Sequence, residues 1–111
     1  MLDKQNRINV EKDYNYIYKF GKRLSAKYII VFITKNNFQY NRYGIVTSKK
    51  VGNAVKRNRA KRQVRAVIRN HFGFLSSGYD MVIVSRYNIS EADFNQIETD
   101  FLSVIRRARL Q

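Results

Sequence analysis

Cysteine and proline are absent from the 111 residues, histidine occurs once, and glycine only five times. Without cysteine there is no disulfide framework, no thiolate metal centre and no cysteine nucleophile, which fits a reducing compartment. A single histidine excludes any site with two imidazole ligands. The lack of proline leaves the turns to glycine and asparagine. No run of 18 uncharged apolar residues occurs, and none follows the start Met1-Leu2-Asp3-Lys4-Gln5-Asn6-Arg7, so a soluble, cytoplasmic protein is expected. Acids are the scarcest charged class. There are eight, and between residues 14 and 79 there is not one.

What remains is enough for one folded domain. The chain is 44% hydrophobic, 14% aromatic and 27% charged, a globular composition, and no repeat, low-complexity tract or linker divides it, so residues 1–111 are expected to form a single domain. The 22 Lys and Arg give a net charge of +14. Fifteen of them lie in the acid-free segment 14–79, leaving seven of the 22 against all eight acids elsewhere. The positive charge is therefore local, and a continuous positive surface attracts polyanions such as nucleic acid or an anionic membrane.

Periodicity places the elements. Val10, Tyr14, Ile17 and Tyr18 recur at helical spacing after Asn9, a candidate cap, and predict a first helix over about 10–20 that stops at Gly21. The β-branched and aromatic run Lys27 to Thr34 predicts a strand. After a polar loop from Lys35 to Asn41, a second strand is predicted over Arg42 to Ser48, paired with the first. Asn53 is placed to cap a long helix reaching about Phe72, and a third strand is expected over Asp80 to Arg86. Ser90 and Asp93 suggest a capping-box start for a last helix over about 91–108. Helices packed on a sheet make an α+β sandwich.

The long helix has two faces. On a helical wheel Ala60, Val64, Val67 and His71 fall in one narrow sector with Ile68 beside it, the stripe that should pack on the sheet. Asn58, Arg62, Arg65 and Arg69, spaced i, i+4, i+7 and i+11, make a second stripe, widened by Arg57, Arg59 and Lys61. Like charges one turn apart repel, and no Glu or Asp interleaves to relieve them. Phosphates would do so, and the planar arginine fork suits them. A DNA-reading recognition helix would need a short preceding helix, but strand-like sequence precedes it.

The run from Gly44 through Ser48-Lys49-Lys50, Gly52-Asn53-Ala54-Val55 and Arg57-Asn58-Arg59-Ala60-Lys61-Arg62 to Arg65 resembles the signature of the bacterial ribonuclease P protein family. Asp13-Tyr14 and Tyr18 before Gly21, and Asp80 to Arg86, resemble the flanking segments of that family. The resemblance implies an α-β-β-β-α-β-α sandwich with a left-handed β-α-β crossover at the long helix and helices packed on a four-stranded sheet. On that basis a fourth, short strand is expected within 45–52 or in the Asn36 to Tyr43 region. It also implies a protein that supports a catalytic RNA, which removes the 5′ leader of precursor tRNA. Its partners would be that RNA subunit and precursor tRNA, with no membrane and no obligate protein partner. Mg²⁺ would be required by the RNA subunit, with no cofactor held by protein side chains. The RNA-contacting residues implied are Lys49, Lys50, Asn53, Lys56, Arg57, Asn58, Arg59, Lys61, Arg62, Arg65 and Arg69.

A single-stranded leader needs a positive groove with aromatic platforms. Tyr14 and Tyr18 lie one turn apart on the first helix, and Tyr28, Ile30 and Phe32 would share one strand face. Tyr14, Tyr18 and Phe32 match the cleft positions of the family, and Tyr28 joins them as a candidate. Tyr in place of the usual Phe adds hydroxyls that could meet phosphate or water. Catalysis by the protein itself finds no support: there is no spaced carboxylate pair and no Gly-rich phosphate loop, and His71 falls on the apolar stripe as a packed residue. The alternatives are a structural RNA binder of the ribosomal-protein kind, which needs no cleft, and a membrane-surface helix, which would need a larger apolar face.

Overall fold

Met81, Val82 and Ile83 are all fully buried, and the rest of the fold is arranged around the strand that carries them. The computed structural model describes residues 3–110, in the order α1 (Glu11–Phe20), β1 (Lys22–Ser25), β2 (Ile29–Lys35), β3 (Arg42–Val46), α2 (Ala54–His71), β4 (Tyr79–Ser85) and α3 (Phe94–Ala108). The expected α-β-β-β-α-β-α order and four-stranded α+β architecture therefore hold. The strands lie in the order β1-β2-β4-β3. β2 runs antiparallel to both β1 and β4, while β3 is parallel to β4.

This order corrects the expected pairing of residues 27–34 with 42–48. The chain leaves β3 through α2 and returns as β4, which inserts between the two segments, where Met81, Val82 and Ile83 are buried on both faces. The fourth strand is also not where it was expected. It is β1, Lys22–Ser25, an edge strand whose only apolar residue is Leu24. Residues 36–41 instead form a loop held by Asn36, whose Nδ2 donates to the Tyr40 carbonyl at 3.2 Å and whose Oδ1 accepts from the Phe38 N–H at 2.8 Å. Within 45–52, the segment beyond β3 is a short 3₁₀ turn, Lys49–Val51, opened by Ser48.

Two caps differ as well. Val10, not Asn9, precedes α1, and no side chain caps it; the acids Glu11 and Asp13 in its first turn favour the helix dipole instead. α3 starts at Phe94, because Asp93 and Gln96 form a reciprocal capping box and Ile89–Glu91 is a separate 3₁₀ turn. Asn53 caps α2 as expected, its Oδ1 accepting from the Lys56 N–H at 3.0 Å.

Alternation divides the sheet into two faces. Ile29, Val31, Ile33, Tyr43, Met81 and Ile83 pack on α2 and α3, whose buried stripes are Ala60, Val64, Val67 and Ile68, and Ile97, Phe101, Val104 and Ile105. The opposite face meets α1 through Ile17, with Tyr14, Phe32, Val82 and Val84 around it. His71 ends α2 half-buried, its Nε2 3.0 Å from Glu98 Oε2 of α3. It ties the two helices together.

Candidate nucleic-acid interface

The face that meets α1 carries three cross-strand rows, set by register. Thr34, Asp80 and Arg42 form one; Arg23, Phe32, Val82 and Gly44 the next; Ser25, Ile30, Val84 and Val46 the third. α1 crosses the strands and contacts the first two rows. At the first, Arg42 makes a two-pronged contact with the buried Asp80, at 2.9 and 2.6 Å, and holds Asp13 of α1 at 3.3 Å. The hydrogen bonds to Asp80 are the main reason that the Arg42 pKa is raised. At the second, the Tyr14 ring lies on Gly44, so close that a Cβ there would sit 2.5 Å from the phenol oxygen. Tyr18 meets Phe32 edge-on, centroids 5.0 Å apart, and Tyr14 is 6.4 Å from Tyr18.

The third row is left open. Ile30, Val84 and Val46 stay only half-buried. Beside α1 this makes a cleft with an apolar floor and an aromatic wall. At the far end a hollow of about 380 Å³ is lined by Ile30, Ser48, Lys50, Val84, Ser85, Arg86 and Tyr87. Tyr14, Tyr18 and Phe32 are thus brought together as expected. Burial raises the pKa of both tyrosines, so their hydroxyls stay protonated and uncharged beside any phosphate. The Tyr14 hydroxyl is not free, since it donates to the Ile8 carbonyl at 3.0 Å.

Tyr28 does not join them. It is buried among the α2 and α3 side of the core, and its N–H donates to Asp100 Oδ2 at 2.7 Å. The alternation expected through 28, 30 and 32 fails because the turn after β1, closed by the Ala26 N–H on the Ile29 carbonyl, interrupts the pleat before Ile29. Conversely, Val84, Arg86 and Tyr87 were not among the expected cleft residues. The pairing of Val84 with Ile30 and Val46 brings the end of β4 to the cleft.

Of the basic set, Lys49, Lys50, Asn53, Lys56, Asn58, Arg59, Arg62, Arg65 and Arg69 are exposed, and Arg57 and Lys61 are half-buried. Among the described residues, the close contacts between basic and acidic side chains are Arg42 with Asp13 and Asp80, and His71 with Glu98, so none involves a lysine or arginine of α2. The helix presents its charge without protein counter-charge. Arg65 also lines a crevice of about 120 Å³ with Arg7, Ile8, Tyr14, Tyr43, Gly44 and Ile45. Arg65 of the basic helix face and Tyr14 of the aromatic wall thus border one crevice beside β3. Among the described residues no three His, Asp or Glu side chains gather as a metal site, and no helix is long and apolar enough to cross a membrane.

Comparison with known proteins agrees with this geometry. Residues 2–109 match the family model described as Ribonuclease P. The ribonuclease P protein component of Syntrophomonas wolfei is 39% identical over 110 residues, covering 99% of this chain and 92% of that one. Among solved structures, a mutant of the Staphylococcus aureus RNase P protein superposes with a TM-score of 0.90 at 29% identity, over 97% of this chain and 92% of that one. The RNase P protein of Thermotoga maritima superposes at 0.82 with 35% identity, over 91% and 96%. A match that runs from end to end, in sequence and in fold, places this chain in the ribonuclease P protein family.

Proposed function

We propose that this chain is the protein component of a ribonuclease P ribonucleoprotein, binding the catalytic RNA and the 5′ leader of precursor tRNA so that the RNA subunit cuts at the mature 5′ end. The observation that carries this reading is the meeting of an unpaired basic helix face with an aromatic cleft at Arg65 and Tyr14. A binder of rigid RNA has no use for the cleft, so the structural RNA-binder alternative is not favoured. On α2, the arginine forks neutralise and orient phosphates of the RNA subunit. In the cleft, Tyr14, Tyr18 and Phe32 offer faces on which unpaired bases stack whatever their identity. Lys50 and Arg86 at the far end meet the leader phosphates. Only the precursor carries a leader, so binding there favours substrate over product, and the protein acts through affinity. Hydrolysis and the Mg²⁺ that serves it belong to the RNA, in the cytoplasm where tRNA is made.

The test is cleavage of 5′-labelled precursor tRNA at low Mg²⁺ by a bacterial ribonuclease P RNA, with and without this protein, and by the protein alone. Cleavage at the mature 5′ end by the mixture only is the expected result. Cleavage by the protein alone, or no effect of adding it to its cognate RNA, would overturn the reading.

A further inference from the structure

α1 has a second aromatic face that the cleft does not use. Tyr14, Ile17 and Tyr18, spaced i, i+3 and i+4, turn toward the sheet, while Lys12, Tyr16, Lys19 and Phe20, spaced i, i+4, i+7 and i+8, share the side away from it. Tyr16 and Phe20 are 56% and 62% exposed, and their rings lie 4.9 Å apart. The Lys19 ammonium stands 5.3 Å from the Phe20 ring centre. Two large rings on the solvent side, one turn apart and in mutual contact, are not needed for packing, because Ile17 already supplies the buried anchor of α1.

The surroundings select the occupant. Lys12 and Lys19 are exposed along this side of α1. Of the acids on α1, Asp13 is paired with Arg42, and Glu11, two turns before Tyr18, lies on the flank that Tyr18 occupies. The only aliphatic residue of α1 is the buried Ile17, so the patch lacks the apolar surround a protein partner would bury. Aromatic faces flanked by lysines fit unpaired nucleotides, whose bases stack and whose phosphates pair. The patch also continues from the cleft, since Tyr18, 40% exposed at its mouth, stands on the same helix.

We propose that the outward face of α1 is a second single-stranded RNA site, in which Tyr16 and Phe20 stack leader nucleotides lying beyond those in the cleft. This rests on the reading of the cleft as the leader site. The leader then passes from the sheet side of α1 over its end to the solvent side, and long leaders are gripped twice. The site extends reach without demanding sequence, because stacking accepts any base.

The experiment uses the holoenzyme reconstituted with its RNA, and measures precursor affinity from the concentration dependence of single-turnover cleavage. Two substrates are compared, one with a leader just long enough for the cleft and one extended by about ten unpaired nucleotides. Wild type is expected to bind the long-leader substrate more tightly. Tyr16→Ala with Phe20→Ala should lose that gain, on the order of fivefold or more for each stacked base, with short-leader affinity unchanged. Tyr16→Phe should keep the gain. A double alanine variant that keeps the full gain overturns the proposal, as does a wild type that gains nothing from the longer leader. Failure of wild type to prefer even the short-leader precursor over mature tRNA would instead overturn the cleft reading itself.

Discussion

At position 44 a side chain has no room. The Tyr14 ring occupies the place of a Cβ, and its hydroxyl is tied to the Ile8 carbonyl. Gly44→Ala should therefore push the ring off the sheet and break that hydrogen bond, at a cost of about 1–3 kcal/mol, the usual range for overpacking. Urea unfolding measures the loss, and a second substitution, Tyr14→Leu, should restore most of the stability but not the preference for precursor tRNA. Nothing in the sequence around Gly44 signals this contact, since Tyr14 stands thirty residues earlier. Tyr43, its neighbour, points to the other face and is buried, which pushes its pKa up to about 12. Up to about pH 10 its phenol is neutral whether the chain is folded or not. Above that the unfolded chain ionises first, so Tyr43 makes stability fall by up to about 1.4 kcal/mol per pH unit until the folded form also titrates. Tyr43→Phe should flatten the fall in urea midpoint between pH 10 and 12; equal slopes in both proteins would show that Tyr43 is not the group responsible.

At the scale of elements, α2 was almost fully legible. Its buried stripe, its exposed arginines and its Asn53 cap all follow from helical periodicity, and the structure keeps each in place. Because no lysine or arginine of α2 has a protein counter-ion among the described residues, removing one breaks no internal pair. Arg62→Ala or Arg65→Ala should flatten the slope of log affinity for the RNA subunit against log salt by about 0.7–0.9 for each phosphate no longer neutralised. An unchanged slope would mean that neither side chain touches phosphate. β1 was illegible for the opposite reason. Lys22-Arg23-Leu24-Ser25 has no apolar alternation of its own, and it becomes a strand because β2 offers it an unpaired edge.

At the scale of the whole molecule, the cleft exists because α1 crosses two rows of the sheet face and leaves Ile30, Val84 and Val46 half-buried beside it. Tyr14→Ala with Phe32→Ala strips platforms from the wall, and since stacking is worth about 1–3 kcal/mol per base, precursor affinity should fall by that much. Mature tRNA, which has no leader, should bind unchanged. Competition binding of the two RNAs to the holoenzyme reads this directly, and an equal loss for both would mean that the aromatics serve only the core.

The helices, the apolar strands, the acid-free middle and the basic stripe are local properties of order and spacing, so the sequence by itself determined them. Strand order, the place of β1 and the company of each cleft residue were decided by tertiary structure. Tyr28 shows why: its spacing puts it with Phe32, yet a turn that closes on Ile29 rotates it into the opposite core. Val84 and Arg65 reach the aromatic wall region from the other direction, brought there by register and by an edge that α2 packs beside. Periodicity reports which face of an element a residue occupies. Which faces meet depends on long-range burial, and that is settled only when β4, apolar on both sides, takes the centre of the sheet.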